Sequence, residues 1–123
     1  MNVQTSRPVA AVIHAAFETY AGRLRDRGES AAASLNELPS GQFVVALEVA
    51  RNRRDWQRNL IVTLDPAASP QIDVRLLDDD QSTVVEIGDA SVPDESTADV
   101  ALALARAGIV YLLSELRLTP IAV

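Results

Sequence analysis

Four short runs in which apolar and polar residues alternate dominate the middle of the chain: QFVVALEVA at 42–50, RNLIVTLD at 58–65, QIDVRLL at 71–77 and TVVEIG at 83–88. A period of two puts every second side chain on the same side of a pleated strand. Phe43, Val45, Leu47 and Val49 form one such set, followed by Leu60, Val62 and Leu64, by Ile72, Val74 and Leu76, and by Val85 and Ile87. The connections RNRRDWQ, PAASP and DDDQS are short and rich in turn-forming residues. Parallel pairing needs a crossover of about a dozen residues or more, so the runs predict an antiparallel meander with one oily face.

An oily sheet face has to be covered, and two helical segments flank the runs. In the first, Val9, Val12, Ile13, Ala16, Phe17, Tyr20 and Leu24 recur at helical spacing behind Ser6 and Pro8, which predicts a helix over about 8–27 closed by Gly28. The stretch ESAAASLNELPSG that follows is rich in alanine and predicts one or two further helical turns, broken by Pro39 and Gly41. The second segment follows SVPDEST, where Asp94 or Ser96 is a cap candidate and Asp99 sits in the first turn, and it stays apolar from Val100 to about Leu118. A helical wheel puts Leu102, Ile109, Leu112, Leu113 and Leu116 on one side and Val100, Leu104, Ala107 and Tyr111 on nearly the opposite one. A helix with two greasy sides needs two surfaces to pack against. One is the sheet; the other is read as a homodimer seam made by Val100, Leu104, Ala107 and Tyr111, helped by the small residues Ala101, Ala105 and Gly108.

The expected fold class is α+β: an N-terminal helix, a four-stranded antiparallel meander sheet and a long C-terminal helix packed on one sheet face. A length of 123 residues suits a single domain over 1–123 with an aliphatic core, since 48% of residues are hydrophobic and 4% aromatic. There is no cysteine, which removes disulfides, thiolate metal sites and thiol nucleophiles and fits a cytoplasmic location. The N-terminal segment carries no cleavage signal, and VALALARAGIVYLLSEL is interrupted by Arg106 and Glu115, so no membrane span is expected.

Charge is unevenly spread along a chain whose formal net charge is -6. Residues 1–58 hold eight arginines against six acids, and 59–123 hold three against eleven. The densest basic stretch, RNRRDWQRN at 51–59, combines Arg51, Arg53, Arg54 and Arg58 with Trp56. It reads first as the solvated bend of a hairpin, and otherwise as a hairpin end whose arginines and tryptophan, residue types enriched in binding hot spots, take an acidic protein segment. Nucleic acid is the less favoured partner, because phosphate neutralisation calls for a broad basic face that an acidic chain lacks.

Catalytic signatures are missing from the sequence. The single histidine, His14, stands four residues from Glu18 on the flank of the first helix, and no nucleophile elbow accompanies it. The glycines at 22, 28, 41, 88 and 108 are isolated and form no phosphate loop. Asp78, Asp79 and Asp80, with Asp73, Glu86 and Asp89 near them, do not follow calcium-loop spacing and read as a solvated turn. No metal and no cofactor is expected.

In general build, a small acidic chain with an N-terminal helix, a curved antiparallel sheet and a long amphipathic C-terminal helix resembles bacterial secretion chaperones and, more loosely, phage tail and assembly components. The likeness rests on no residue motif and implies protein binding and dimerisation without site residues. The function expected is therefore that of a non-catalytic protein-binding module acting as a homodimer. The alternative is a small enzyme, with a pocket joining His14 to Glu18 or Glu48, or a protein holding a small apolar ligand between sheet and helices.

Overall fold

The computed structural model describes residues 3–50, 57–65, 71–78, 82–91 and 97–118, with the side chains of 3–6, 71, 72, 84, 85, 89–91, 97 and 98 left aside. Helix α1 (Val3–Asp26) leads into strands β1 (Ser30–Glu37), β2 (Phe43–Ala50), β3 (Gln57–Asp65), β4 (Gln71–Asp78) and β5 (Thr83–Ser91), and helix α2 (Thr97–Glu115) follows. The strands form one antiparallel sheet in the order β1-β2-β3-β4-β5, and both helices pack on the same face of it. The fold is α+β. Each of the four alternating runs is a strand, and neighbouring strands pair as the short connections require.

The sheet has a fifth strand, however, where further helical turns were expected. Ser30–Glu37 pairs with β2 from Ser30↔Ala50 to Glu37↔Phe43. Alanine favours helix, but the difference in propensity is well under 1 kcal/mol per residue and tertiary packing overrides it. Here Ala31 and Ala33 lie opposite Val49 and Leu47 and pack beneath α1, which needs small side chains at those places. Pro39 and Gly41 end no helix; they build the hairpin turn. Gly41 N donates to the Leu38 carbonyl at 2.9 Å, Leu38 N donates to the Gln42 carbonyl at 2.8 Å, and Gly41 has φ 88°. This is a three-residue loop of the kind that closes with a left-handed residue, the conformation glycine takes without strain.

The first helix begins five residues before Pro8 rather than at it and ends where Gly28 predicts. Gly28 N donates to the Arg25 carbonyl and Glu29 N to the Leu24 carbonyl, with Gly28 at φ 88°, so the chain leaves α1 through a paired left-handed cap. The end of α2 repeats that cap with a different residue: Arg117 N donates to the Ser114 carbonyl, Leu118 N to the Leu113 carbonyl, and Arg117 itself has φ 55°.

The core fills the space between helices and sheet. Val9, Ile13, Phe17 and Leu24 of α1 and Ala101, Ala105, Ile109, Leu112 and Leu116 of α2 meet Phe43, Val45, Leu47, Leu60, Val62, Leu64, Val74 and Leu76, all buried. Helix α1 covers β1 and β2, while α2 covers β3, β4 and β5. Arg7 of α1 reaches Glu37 at one end of the sheet and α1 turns into β1 at the other, near which Glu115 of α2 meets Arg58. The two helices therefore run in the same direction and finish at the same end of the sheet.

Neither described helix lies on the opposite sheet face. Its described side chains mix small and polar residues, among them Ala32, Ser34, Glu48, Thr63, Asp73, Arg75 and Glu86, with the half-buried apolar Val44, Ile61 and Leu77. Arg75 pairs with Asp73 at 2.8 Å and lies 3.9 Å from Glu86. Asn59 is buried on this face and accepts a hydrogen bond from Gln57 Nε2 at 3.0 Å.

Candidate functional site

The expected dimer seam resolves into a flank of α2. Val100, Leu104 and Ala107 are half-buried, Tyr111 is 50% exposed, and the neighbouring Val110 is 58% exposed. Leu104 leans over β5, so near to Gly88 that a Cβ there would sit 3.0 Å from Leu104 Cδ2. The flank therefore overhangs the β5 edge of the sheet. The small residues assigned to the seam do a different job. Ala101, Ala105 and Gly108 are buried against the sheet, and a Cβ on Gly108 would lie 2.5 Å from Leu60 Cδ1. They let α2 sit close on β3, and that closeness leaves the bulkier Val110 and Tyr111 turned outward.

The arginine-rich stretch divides differently from the expectation. Arg51, Arg53, Arg54 and Trp56 lie outside the described residues, on the segment that joins Ala50 to Gln57. Arg58 is described, and it is tied into the fold instead of standing free on a bend. It begins β3 on the face that carries the helices, donates from Nη2 to Glu115 Oε1 at 3.3 Å and from Nη1 to the Gln57 carbonyl at 2.9 Å, and keeps 20% of its side chain exposed. Its Nε is buried without a hydrogen-bond partner. Strand alternation explains this placement, because Arg58 shares the parity of Leu60, Val62 and Leu64 and must point toward α2.

Arg58 has basic company that its place in the sequence does not show. Arg23 and Arg25 stand in the last turn of α1, Arg27 follows, and Arg117 follows α2. With Arg58 they gather at the end of the sheet where both helices finish, and where their C-termini favour positive charge. Arg25 Nη1 donates to the Ala31 carbonyl at 2.7 Å, and open depressions at this corner are lined by Arg25, Gly28 and Glu29 and by Ser30, Ala32 and Glu48.

Of the residues named for the enzymatic alternative, His14 and Glu18 meet and Glu48 lies apart from them. His14 Nε2 lies 3.3 Å from Glu18 Oε1 on the flank of α1. Glu48 alternates with Leu47 and Val49 and so points to the opposite sheet face, with the sheet between it and His14. Asp78 turns inward on its own hairpin, its Oδ1 accepting a hydrogen bond from Ser82 N at 3.0 Å, while Asp79 and Asp80 lie outside the described residues. Among the described residues no group of three or more histidine and acidic side chains is placed to hold a metal ion. No described helix is long and apolar enough to cross a membrane.

The chain matches no protein-family model, no curated protein and no solved structure.

Proposed function

We propose that this protein is a non-catalytic protein-binding module that acts as a homodimer in the cytoplasm. The observation that carries the proposal is the exposed apolar flank of α2, where Val110 and Tyr111 stand in water beside half-buried Val100, Leu104 and Ala107. Apolar surface returned to a protein contact gains roughly 25 cal/mol per Å². A second copy supplies a matching helix about a two-fold axis. The arginine-rich end, with Arg51, Arg53, Arg54, Trp56 and Arg58, is then the site for an acidic segment of a different protein.

Light scattering tests the seam. The wild type is expected to have the mass of more than one 13.2 kDa chain at micromolar concentration, and Tyr111→Glu or Leu104→Glu to remove the α2 contact. A wild type that stays monomeric overturns the homodimer.

A further inference from the structure

The two edges of the sheet are built differently. Two register shifts interrupt β5, so that Val84 and Ile87 fall between paired positions, and the strand carries Glu86 and Asp89. Bulges and charges are the usual means of keeping an edge strand from pairing. The middle of β1 has neither: its 8 residues pair with β2 without interruption, none from Ser30 to Asn36 is charged, and charge meets the strand only at its ends, where Arg25 bonds to the Ala31 carbonyl and Glu37 closes the strand.

The ladder tells which groups of β1 face outward. Leu38 N donates to the Gln42 carbonyl, so by the alternation of antiparallel pairs the even-numbered residues of β1 bond to β2 and the odd-numbered ones point away. Arg25 approaches the Ala31 carbonyl from that open side, as this parity requires. The N–H and C=O groups of Ala33 and Leu35 thus form the edge, and the Leu35 side chain beside them is 37% exposed.

We propose that β1 pairs antiparallel with β1 of a second copy about a two-fold axis at Ser34, joining the two sheets into one. Outward residues are odd-numbered, and pairing them about Ser34 sets Ala33 opposite Leu35 and Ala31 opposite Glu37. The small Ala33 leaves room for the exposed Leu35 of the second copy. Glu37, 3.2 Å from Arg7 in its own chain, comes beside the second copy's Arg25. On α1, Arg7 stands by Glu37 and Arg25 by Ala31, so the same axis passes near Ala16 and sets His14 of each copy toward Glu18 of the other. The outer side of α1 is small there, with Ala11 and Ala15 exposed. Because α1 lies over β1 and β2, it stands about one strand spacing from the axis, and the two α1 helices meet at about 10 Å, a normal helix-packing distance. Shape and charge thus both match the chain to itself.

The β1 contact goes beyond the α2 seam, since it uses a different surface; with both in place, the homodimers made by the α2 seam are joined to one another through β1. Light scattering and amide hydrogen exchange on Tyr111→Glu, Leu35→Lys, Ala33→Pro and the double variant Tyr111→Glu/Leu35→Lys separate them. Ala33→Pro removes an outward N–H and leaves the bonds to β2, and circular dichroism verifies that each variant is folded. The expected results are a dimeric Tyr111→Glu with slow exchange at Ala33 and Leu35, and a monomeric double variant in which the unchanged Ala33 amide exchanges at least about tenfold faster, a difference of roughly 1.4 kcal/mol in opening. Ala33→Pro should lose the same contact as Leu35→Lys. A monomeric Tyr111→Glu with fast exchange at Ala33 and Leu35 overturns the β1 contact and leaves the α2 seam standing. An unchanged mass in Leu35→Lys and Ala33→Pro also overturns it.

Discussion

Arg117 occupies a backbone conformation that its neighbours in the fold reserve for glycine. Gly28 and Gly41 take φ 88°, and Arg117 takes 55° at the matching place after α2. A side chain in the left-handed region costs roughly 1–2 kcal/mol, and the greater freedom of an unfolded glycine offsets part of any gain from removing it. The Arg117 side chain is exposed, so little packing is lost with it. Arg117→Gly is therefore expected to raise stability by about 0.5–1 kcal/mol, read as a melting point a few degrees higher in a calorimeter. An unchanged or lower melting point would show that the arginine offsets its own strain through the α2 C-terminus.

At the scale of elements, α2 comes close upon β3 at Gly108. Gly108 gives up helix propensity worth roughly 1 kcal/mol relative to alanine so that Leu60 can occupy the space its Cβ would take. Leu60 is fully buried, so its side chain can give way only by displacing its core neighbours. Overpacking, at about 1–3 kcal/mol, outweighs the propensity gain, so Gly108→Ala should destabilise by about 1–2 kcal/mol in urea unfolding. Leu60→Val should recover part of that loss in the double mutant. The sequence shows the strands that use this packing because alternation survives in them whatever the neighbours are. It does not show β1, because SAAASLNE carries the composition of a helix and becomes a strand only where α1 demands small residues beneath it. That omission hid more than a strand: without β1 between them, the end at which α1 finishes cannot be placed, and Arg23, Arg25 and Arg27 cannot be joined to Arg58. The inward turn of Arg58 was legible in its parity with Leu60, whereas its partner Glu115 depends on where α2 ends over the sheet.

For the whole molecule, the arrangement separates charge that the net value of -6 conceals. Arginines collect where both helices finish, and the acids Asp73 and Glu86 spread over the sheet face opposite the helices. Binding of an acidic segment at the arginine-rich end should weaken with salt, because exposed charges are screened within about 8 Å at physiological ionic strength. Replacing Arg53 and Arg54 by alanine should reduce capture of a partner from host lysate with little change in melting point, and capture should survive nuclease. Loss of capture on nuclease treatment would instead identify a nucleic acid. Trp56→Ala distinguishes contact from core: a cost of roughly 3–5 kcal/mol in unfolding marks a buried ring, and weaker capture at unchanged stability marks a binding one.

The division of labour between the helices also has a consequence for the newborn chain. Synthesis proceeds from the N-terminus at about 5–20 residues per second, so α1 is present before β1 and β2 and can cover them as they form. The strands β3, β4 and β5 have no such cover, because the helix that lies on them is made last. For several seconds Leu60, Val62, Leu64, Val74 and Leu76 face water on a ribosome-bound chain. This is the interval in which the protein is most open to aggregation and most in need of a holding chaperone.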